Sequence, residues 1–378
     1  MIMVTSKNNT PWSKTNWVNS WNNNKLKIAW IHDRIFHLGW AESIFLELLE
    51  KKIENTDAEL KIFTLFSDKK TLKIAGKAVP VIVALPRRIN TIFVRGSKKN
   101  ISVLDYRNLI AISPLLCSLL RRKVRKYDPE LSVISSFAFA KNVAPIPWKT
   151  ELYLHSPNQY IWWNHNEYEK KITGRKGTIF NTIVWSLRRR DAQSRQYDKI
   201  MTNSEYTKTQ AQTLYQGFDK AVVKYPTIDP AFANVSMPRM KKNYFIFVWR
   251  LTSYVRELEK IITVFNNTGY QLIIAWSGPD ELTLKALAGP TITFVWNISD
   301  VHEKISLMKS ARWFINLAKE SCGIATMEAI ALWLPVFWYN DGGTVELTKN
   351  HPSVLIDHKD QGTIQKWFEE FIKLIENG

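Results

Sequence analysis

The chain has 378 residues, of which 45% are hydrophobic, enough to bury the cores of two domains. No charge-free apolar run of about 18 residues occurs, which excludes a membrane-spanning helix, and two cysteines are too few for a disulfide framework or a zinc site. The net charge of +18 is unevenly divided, since residues 1–227 carry +19 and the remainder −1. The first part is therefore expected to meet an anionic partner: nucleic acid, an anionic lipid surface or a phosphorylated acceptor.

Strand-like and helix-like segments alternate from residue 25 onward, after an Asn-, Ser- and Trp-rich start without a signal sequence. The first unit is a buried strand at Lys27–Asp33, a loop containing Gly39 and a helix over 41–52. The alternation stops in a Pro-rich stretch and then resumes, which predicts two parallel-sheet α/β domains of Rossmann type with ligands at the strands' carboxyl ends. In chain order we predict a disordered arm (1–24), a first domain (25–227), a linker (228–243), a second domain (244–361) and a terminal helix (362–378).

An apolar stretch at Leu109–Leu120 runs directly into the basic stretch Arg121–Lys126. An apolar segment with a basic flank suits the surface of an anionic membrane leaflet. A core helix that ends in a solvated basic turn explains the same pattern equally well.

Two carboxylates, Glu320 and Glu328, bracket a glycine turn and the start of an apolar helix. Gly323 allows the backbone to approach a ligand, and a helix that begins at Ile324 directs its unpaired N–H groups there, an arrangement that favours phosphate. Glu328 lies among apolar residues, where a carboxylate is unfavourable unless a donor such as a sugar hydroxyl satisfies it. A solvated glutamate on an ordinary helix is the other interpretation.

Several short motifs, in their order and spacing, resemble the retaining glycosyltransferases of family 4. That resemblance covers the chain from Lys25 onward and implies a GT-B fold, in which two Rossmann-like domains face each other and a C-terminal helix crosses back. The motifs are HLGWAES (37–43), ISSFAFAKNV (134–143), YLHSPNQYIW (153–162), TNSEYT (202–207), YPTID (225–229), FVWRL (247–251), SGPD (277–280), the Glu320–Glu328 pair and Asp341-Gly342-Gly343.

The resemblance implies transfer of a sugar from a nucleotide donor to a hydroxyl, with retention at the anomeric carbon. Arg250 matches the family's pyrophosphate-binding arginine, and a guanidinium fork suits that task. The family's usual lysine five residues later is Val255 here, so Arg256 is the candidate for the second positive charge. Glu320 matches the residue that accepts hydrogen bonds from the donor sugar, Glu328 the one that holds the ribose, and His155 the histidine near the reacting centre.

Other positions follow from the same resemblance. Further donor-binding residues are Trp249, Ser277, Gly278, Asn297, Gly323, Ile324 and Ala325, and the loop that meets the acceptor and phosphate contains Gly39, Trp40 and Ala41, with Asn203 nearby. No Asp-x-Asp motif occurs, so we expect no metal and no cofactor beyond the nucleotide sugar. The implied partners are a UDP- or GDP-linked donor and a glycan or lipid-linked acceptor in polysaccharide or glycolipid synthesis. We expect a cytoplasmic protein held peripherally at the anionic inner face of the membrane.

Tryptophan is unusually frequent: there are 16 Trp and only 14 Gly. At several positions where the family has glycine this chain has tryptophan, namely Trp40, Trp249, Trp276, Trp296 and Trp333, with Trp148, Trp313 and Trp338 as further candidates. An indole is a poor fit for loops that approach phosphate or need a positive φ. We hypothesise that the gene uses UGA codons for glycine that have been translated as tryptophan.

Three other functions are compatible with the same sequence. One is a catalytically inactive GT-B paralogue, in which indoles block the donor site. A second is a nucleic-acid-binding protein, supported by a pI of about 9.7 but lacking an aromatic RNA-binding signature. A third keeps the fold and changes the reaction, as in an epimerase or phosphorylase that acts on sugar nucleotides.

Overall fold

A computed structural model gives the fold as two compact units, divided between Pro226 and Thr227. Each unit is considered by itself. The structure describes residues 25–36, 39–99, 101, 105–163, 165, 169, 174–193, 195–233, 235–236, 242–248, 258–275, 281–295, 298, 300–357 and 361–376.

The N-terminal unit is built on one sheet with helices between its strands. Its strands are β1 Lys27–Ile35, β2 Glu59–Ser67, β3 Thr71–Ile74, β4 Lys77–Val83, β5 Leu131–Ser136, β6 Lys149–Leu154, β7 Lys199–Thr202 and β8 Val222–Val223. Its helices are α1 Trp40–Asn55, α2 Arg87–Lys98, α3 Ser113–Tyr127, α4 Gly174–Asp191 and α5 Glu205–Leu214, with 3-10 turns at Tyr106–Ile112 and Ala140–Val143 and a π-turn at Gln159–Trp163.

The strand order of this sheet is β3-β4-β2-β1-β5-β6-β7-β8, and only the β3–β4 pair is antiparallel. The central strand β1 pairs in parallel with β2 and with β5, so Ile31 lies between Phe63 and Ile134. Ile28 to Asp33 are all buried, as expected for a parallel strand covered on both faces. The strand order reverses between β1 and β5, which makes their carboxyl ends the switch point of this sheet.

The C-terminal unit repeats the architecture with a six-stranded, all-parallel sheet. Its strands are β9 Tyr244–Val248, β10 Gln271–Ala275, β11 Ile292–Val295, β12 Trp313–Asn316, β13 Val336–Tyr339 and β14 Ser353–Ile356. Its helices are α6 Leu258–Thr268, α7 Glu281–Leu287, α8 Val301–Ser310, α9 Ile324–Ala331, α10 Thr344–Leu347 and α11 Gln361–Glu376. The order β11-β10-β9-β12-β13-β14 is that of a dinucleotide-binding sheet, with its switch point between β9 and β12.

Helix α11 packs against α6 and β14 of its own unit, where Phe368 and Phe371 enter the aromatic core with Phe245. The helix predicted to cross back is thus a component of the C-terminal core. The segment predicted as a linker also contributes to this unit, because Phe232 is buried against Tyr244 and Ile246.

The predicted fold class, two Rossmann-like parallel-sheet domains, is confirmed. Predicted strands and helices in both halves match described elements within a few residues. The predicted arm at 1–24 lies outside the described residues. Among the described helices, none combines the length and apolarity needed to cross a bilayer.

Candidate active site

The carboxyl end of β12, at the switch point of the C-terminal sheet, leads directly into the glycine turn predicted from the sequence. Asn316 ends the strand, is fully buried, and accepts the N–H of Ala318 at 2.9 Å through Oδ1. Its Nδ2 has no hydrogen-bond partner among the described residues. An amide donor thus remains available where a parallel sheet of this order binds ligands.

Gly323, the residue before α9, has a left-handed backbone with φ of +86°. A Cβ at this position would lie 2.9 Å from Thr344 Oγ1, 3.1 Å from Glu320 Oε2 and 3.2 Å from Thr326 Oγ1. Only glycine combines this conformation with such close neighbours. One carboxylate and two hydroxyls therefore converge on the start of a helix.

The loop after β13 holds this turn in place through two more glycines. Gly343 donates its N–H to the Glu320 carbonyl at 2.8 Å, and Glu320 and Gly342 form a parallel bridge. A Cβ on Gly342 would come within 2.5 Å of the Glu320 carbonyl oxygen. Lys319 and Asp341 join the same two loops by a 2.8 Å ion pair. The Asp341-Gly342-Gly343 motif thus supports the Glu320 turn by backbone contact.

Buried polar groups around Gly323 are the chemical feature of this site. The hydroxyls of Thr326 and Thr344 are fully buried and have no hydrogen-bond partner among the described residues. The first N–H groups of α9, which include Ile324 and the buried Ala325, lack intrahelical acceptors and lie at the positive end of the helix dipole. Glu320 is itself buried. The arrangement offers donors to an anion and an acceptor to a hydroxyl.

Glu328 is buried on the second turn of α9 and forms an ion pair with Lys304 of α8. Burial raises the pKa of the Glu328 carboxyl, whereas the Lys304 ammonium acts in the opposite direction. The sequence analysis identified the glutamate but not its partner. No local pattern signals Lys304, because it is 24 residues away from Glu328 and on a different helix.

Six of the predicted site residues lie outside the described residues, so their predicted roles are untested. They are Trp249, Arg250, Arg256, Ser277, Gly278 and Asn297. Arg250 nevertheless follows β9, the strand that shares the switch point with β12.

In the N-terminal unit, His155 follows β6 and is fully buried. Its Nε2 lies 2.7 Å from the Ser135 hydroxyl, which in turn lies 3.1 Å from His32 Nδ1. Burial and the neighbouring His32 hold the pKa of His155 well below its ordinary value, so the ring is neutral. The imidazole predicted to orient a donor-sugar hydroxyl is therefore hydrogen-bonded within the strand ends, and its role towards a donor stays a prediction.

The predicted acceptor loop lies at the start of α1. Gly39 donates its N–H to Glu42 Oε2 at 3.1 Å, and Glu42 accepts from Arg34 at 3.2 Å through its other oxygen. Ala41 is buried beneath this turn, and Asn203 is buried at the end of β7. For Trp40 the structure gives only the backbone, as the first residue of α1.

Asp33, at the end of β1, was not singled out from the sequence. Its carboxylate accepts the four consecutive N–H groups of residues 137–140 at 2.7–3.0 Å and the Ser136 hydroxyl at 3.1 Å. A carboxylate with this many donors is satisfied by the protein itself. Asp33 therefore fixes the loop after β5, at the switch point of the N-terminal sheet.

Residues 230–377 match the family model described as glycosyl transferases group 1. The match spans almost all of the C-terminal unit, including the Glu320 turn, and less than half of the chain. No curated protein matches the sequence.

Solved glycosyltransferase structures share the fold of the whole chain. The lipopolysaccharide outer core galactosyltransferase WaaB is 12% identical with a TM-score of 0.59, covering 92% of this chain and 90% of WaaB. WaaG, a glycosyltransferase involved in lipopolysaccharide biosynthesis, is 14% identical with a TM-score of 0.61, covering 91% and 90%. HepE of Anabaena, in complex with UDP-glucose, is 13% identical with a TM-score of 0.59, covering 93% and 91%. Because the sequence identities are only 12–14%, these similarities establish the fold of this chain and nothing about its substrates.

Proposed function

We propose that this protein is a glycosyltransferase that moves a sugar from a nucleotide donor to a hydroxyl of a glycan or lipid-linked acceptor, with retention of anomeric configuration. The family match of residues 230–377 supports the reaction class. The observation that carries the proposal is the turn at Gly323, where a helix start and the Glu320 carboxylate meet two buried hydroxyls that have no partner in the described part of the chain.

The donor site follows from the chemistry of these groups. The N–H groups at the start of α9 and the hydroxyls of Thr326 and Thr344 bind the diphosphate, whose negative charge grows as the glycosidic bond breaks. Arg250 adds a guanidinium to the same phosphates, with Arg256 as the second charge. Because the diphosphate charge is met by protein donors, this scheme needs no metal ion.

Two acids have separate roles in this scheme. Glu320 accepts hydrogen bonds from donor-sugar hydroxyls, and Glu328, held by Lys304, accepts from the ribose. A hydrogen bond to a charged acceptor contributes about 1.5–3 kcal/mol, so Glu320→Ala should lower turnover by about one to two orders of magnitude. The acceptor hydroxyl then attacks on the face that the nucleotide leaves.

If UGA encodes glycine in this gene, the active protein has glycine where the printed sequence has tryptophan at the candidate positions. We call that protein the glycine-recoded protein, and it is the one to assay. Among the described residues, four other than glycine have a left-handed backbone, and two of these are Trp148 (φ +80°) and Trp333 (φ +49°). Such a conformation costs an L-residue about 1–2 kcal/mol and suits glycine. This supports UGA-encoded glycine at both positions. UGG codons there would contradict it.

The other candidate positions divide into three groups. Trp40 is the first residue of α1, and only its backbone is described. Trp313 and Trp338 pack edge-on to Phe371 and stacked on Phe314, respectively, so the structure gives no conformational reason for glycine there. Trp249, Trp276 and Trp296 lie outside the described residues.

The acceptor class rests on charge and on the related structures. The +19 of residues 1–227 favours an anionic acceptor such as a lipid-linked pyrophosphate, and peripheral attachment to an anionic leaflet. WaaB and WaaG belong to lipopolysaccharide synthesis, which supports a role in cell-surface polysaccharide or glycolipid synthesis. HepE binds UDP-glucose, so UDP-sugars come first among donors, followed by GDP-sugars such as GDP-mannose.

A thermal-shift screen of the glycine-recoded protein against UDP- and GDP-sugars tests the donor site. A donor at 100 times its Kd should stabilise the protein by about 2.7 kcal/mol. Glu320→Gln should reduce the shift for the sugar nucleotide more than for the bare nucleoside diphosphate. Glu346→Gln, on the neighbouring helix α10, is the matched control and should leave both shifts unchanged.

Three outcomes would contradict the proposal in different ways. Donor binding without transfer to any acceptor would indicate an inactive paralogue. Salt-sensitive retention of nucleic acid without nucleotide-sugar binding would indicate a nucleic-acid-binding protein. Release of an altered sugar nucleotide without acceptor would indicate an epimerase.

A further inference from the structure

One surface of the N-terminal unit combines exposed isoleucine and leucine side chains with basic residues. Of the fourteen large apolar side chains exposed in the described part of the chain, five lie within residues 89–115. We call this surface the α2–α3 face and define it as Arg88, Ile89, Ile92, Arg95, Lys99, Ile112, Leu115 and Arg122. Helix α2, the turn Tyr106–Ile112 and α3 carry it, and the turn contacts both helices.

Helix α2 is oriented with isoleucine outward. Arg88, Ile92, Arg95 and Lys99 recur at i, i+4, i+7 and i+11, which places them on one side of the helix, and all are exposed, Ile92 by 51%. The buried side includes Asn90. The basic residues face outward as on any water-facing helix, but the isoleucines among them would normally face inward.

Asn90 explains why α2 sits this way. Its Oδ1 accepts the N–H of Ser67 at 3.1 Å, and its Nδ2 donates to the carbonyl of Leu65 at 3.0 Å. The oxygen and the nitrogen of the Asn90 amide therefore both bind the end of β2. The helix cannot rotate to bury its isoleucines without breaking these two hydrogen bonds. Ile89 and Ile92 therefore stay exposed among the basic residues of this helix.

Helix α3 divides its residues between the core and this face. Leu116, Leu120 and Val124 are buried, whereas Leu115 is 54% exposed. The segment predicted either as a membrane-surface segment or as a core helix with a basic end therefore has both a core side and an exposed side, and its contact with a membrane stays a prediction.

The basic flank of α3 is divided in the same way. Arg121 donates to the carbonyls of residues 142–144 at 2.6–2.9 Å, and Lys123 to those of residues 83 and 84 at 2.6 and 2.9 Å. Both side chains hold neighbouring loops. Arg122 between them is exposed and belongs to the face.

The charge of this region is almost entirely of one sign. Residues 86–127 contain eleven lysines and arginines and a single acid, Asp105, which pairs with Arg107 at 2.6 Å. A second copy of the chain does not fit, because a symmetric contact would bring two such surfaces together. Nucleic acid would use the charge but not the protruding isoleucines.

We propose that the α2–α3 face docks on the surface of an anionic phospholipid bilayer. Ile89, Ile92 and Leu115 enter the boundary between headgroups and acyl chains, and the arginines and lysines bind lipid phosphates. A lipid-linked acceptor implies that the protein attaches peripherally to a membrane, and the α2–α3 face is the surface that would make this attachment. In this respect the docking site rests on the proposed function. The face contains no tryptophan, so glycine recoding does not alter it.

Co-sedimentation with vesicles tests the docking. The full chain should bind phosphatidylcholine vesicles that contain phosphatidylglycerol and should not bind phosphatidylcholine alone. Because each basic residue near an anionic surface contributes about 1 kcal/mol, Arg88→Gln/Arg95→Gln/Lys99→Gln should weaken binding by about 100-fold at low salt. Ile89→Ser/Ile92→Ser should weaken it by about 10-fold, and this loss should persist at high salt.

Matched controls come from the C-terminal unit. Leu282→Ser removes an apolar side chain that is 80% exposed on α7, and Lys349→Gln/Lys366→Gln/Lys373→Gln removes three exposed charges. Neither should change vesicle binding. Circular dichroism and thermal unfolding check that every variant is folded.

The outcomes separate this proposal from the proposed function, since vesicle binding needs no turnover. Equal binding by the face variants and the controls would overturn the docking site and leave the transferase intact. The docking site would also be overturned if Ile89→Ser/Ile92→Ser lost self-association and kept its binding to vesicles. Vesicle binding without any nucleotide-sugar binding would support the face and contradict the transferase.

Discussion

The two sheets place opposite kinds of chemistry at their switch points. In the N-terminal unit the carboxylate of Asp33 is fully satisfied, because it accepts four backbone N–H groups and a hydroxyl. In the C-terminal unit the hydroxyls of Thr326 and Thr344 and the amide of Asn316 are buried without partners in the described structure. At corresponding strand ends, one unit therefore has a carboxylate satisfied by the protein itself, and the other has buried hydroxyl and amide groups without partners among the described residues.

The difference indicates where binding energy is available. A buried polar group without a partner costs about 1–3 kcal/mol, and a ligand that satisfies it recovers this energy. The Asp33 carboxylate is already satisfied by donors of the protein itself, so its substitution should affect folding. The groups around Gly323 include hydroxyls without partners in the described structure, so substitutions there should affect ligand binding more than folding.

Asp33→Asn should have the largest effect on stability. An amide nitrogen would face N–H donors that now bind a carboxylate oxygen, and breaking a buried charge-assisted network costs about 3–5 kcal/mol. Urea unfolding followed by circular dichroism measures the change. Asp57→Asn is the control, since that exposed carboxylate pairs with the exposed Lys25 and the variant should unfold like the parent. An equally stable Asp33→Asn protein would mean that the loop after β5 does not depend on this carboxylate.

Buried His32 should make the stability of the N-terminal unit depend on pH. Burial lowers the pKa of His32 to about 4, below its ordinary value of 6.5. Because the pKa is lower in the folded than in the unfolded state, the neutral ring stabilises the fold fully above pH 6.5, and this stability is lost as the pH falls towards 4. The loss in the free energy of unfolding is about 3 kcal/mol. His32→Gln should therefore flatten the acid side of the stability profile, measured by urea unfolding at several pH values.

The control for this profile is His302→Gln, which changes an exposed histidine on α8. Its stability should fall with acid as steeply as that of the parent. If His32→Gln also keeps the parent slope, His32 is not the source of the acid sensitivity.

The sequence predicted the features that are local in the chain. The strands, the glycine turn at 323 and the two acids around it were found because short-range patterns specify them. Asp33 was missed because its donors are more than 100 residues away, and Lys304 because it lies on another helix than Glu328. The threonine hydroxyls were missed for a similar reason, since Thr344 reaches the site only through the contact of its loop with the Glu320 turn.

Gly323→Ala tests the C-terminal switch point, where a substitution should weaken ligand binding more than folding. The left-handed backbone costs alanine about 1–2 kcal/mol, and the new Cβ would crowd Thr344 and Glu320. In the glycine-recoded protein we expect a modest loss of stability and a 10- to 100-fold weaker binding of UDP or GDP, equivalent to about 1.4–2.8 kcal/mol, measured by calorimetry.

Gly269→Ala is the matched control for this variant. Gly269 belongs to the same unit and has a similar φ of +73°, but nothing lies within 4 Å of its Cβ position. It should lose similar stability and bind nucleotide normally. Equal binding by both variants would remove the Gly323 turn from the donor site.

The smallest effect, and the only stabilising one, is expected for Trp333→Gly. The indole is 67% exposed and tilted against His351, so its removal loses little packing, and glycine relieves a left-handed backbone by about 1 kcal/mol. Trp333→Ala keeps that strain and should be no more stable than the parent. Trp185→Gly, equally exposed but within α4, should be less stable by about 1 kcal/mol, because glycine weakens a helix. If Trp333→Gly destabilised the protein as much as Trp185→Gly does, the left-handed backbone at 333 would no longer support glycine at that position.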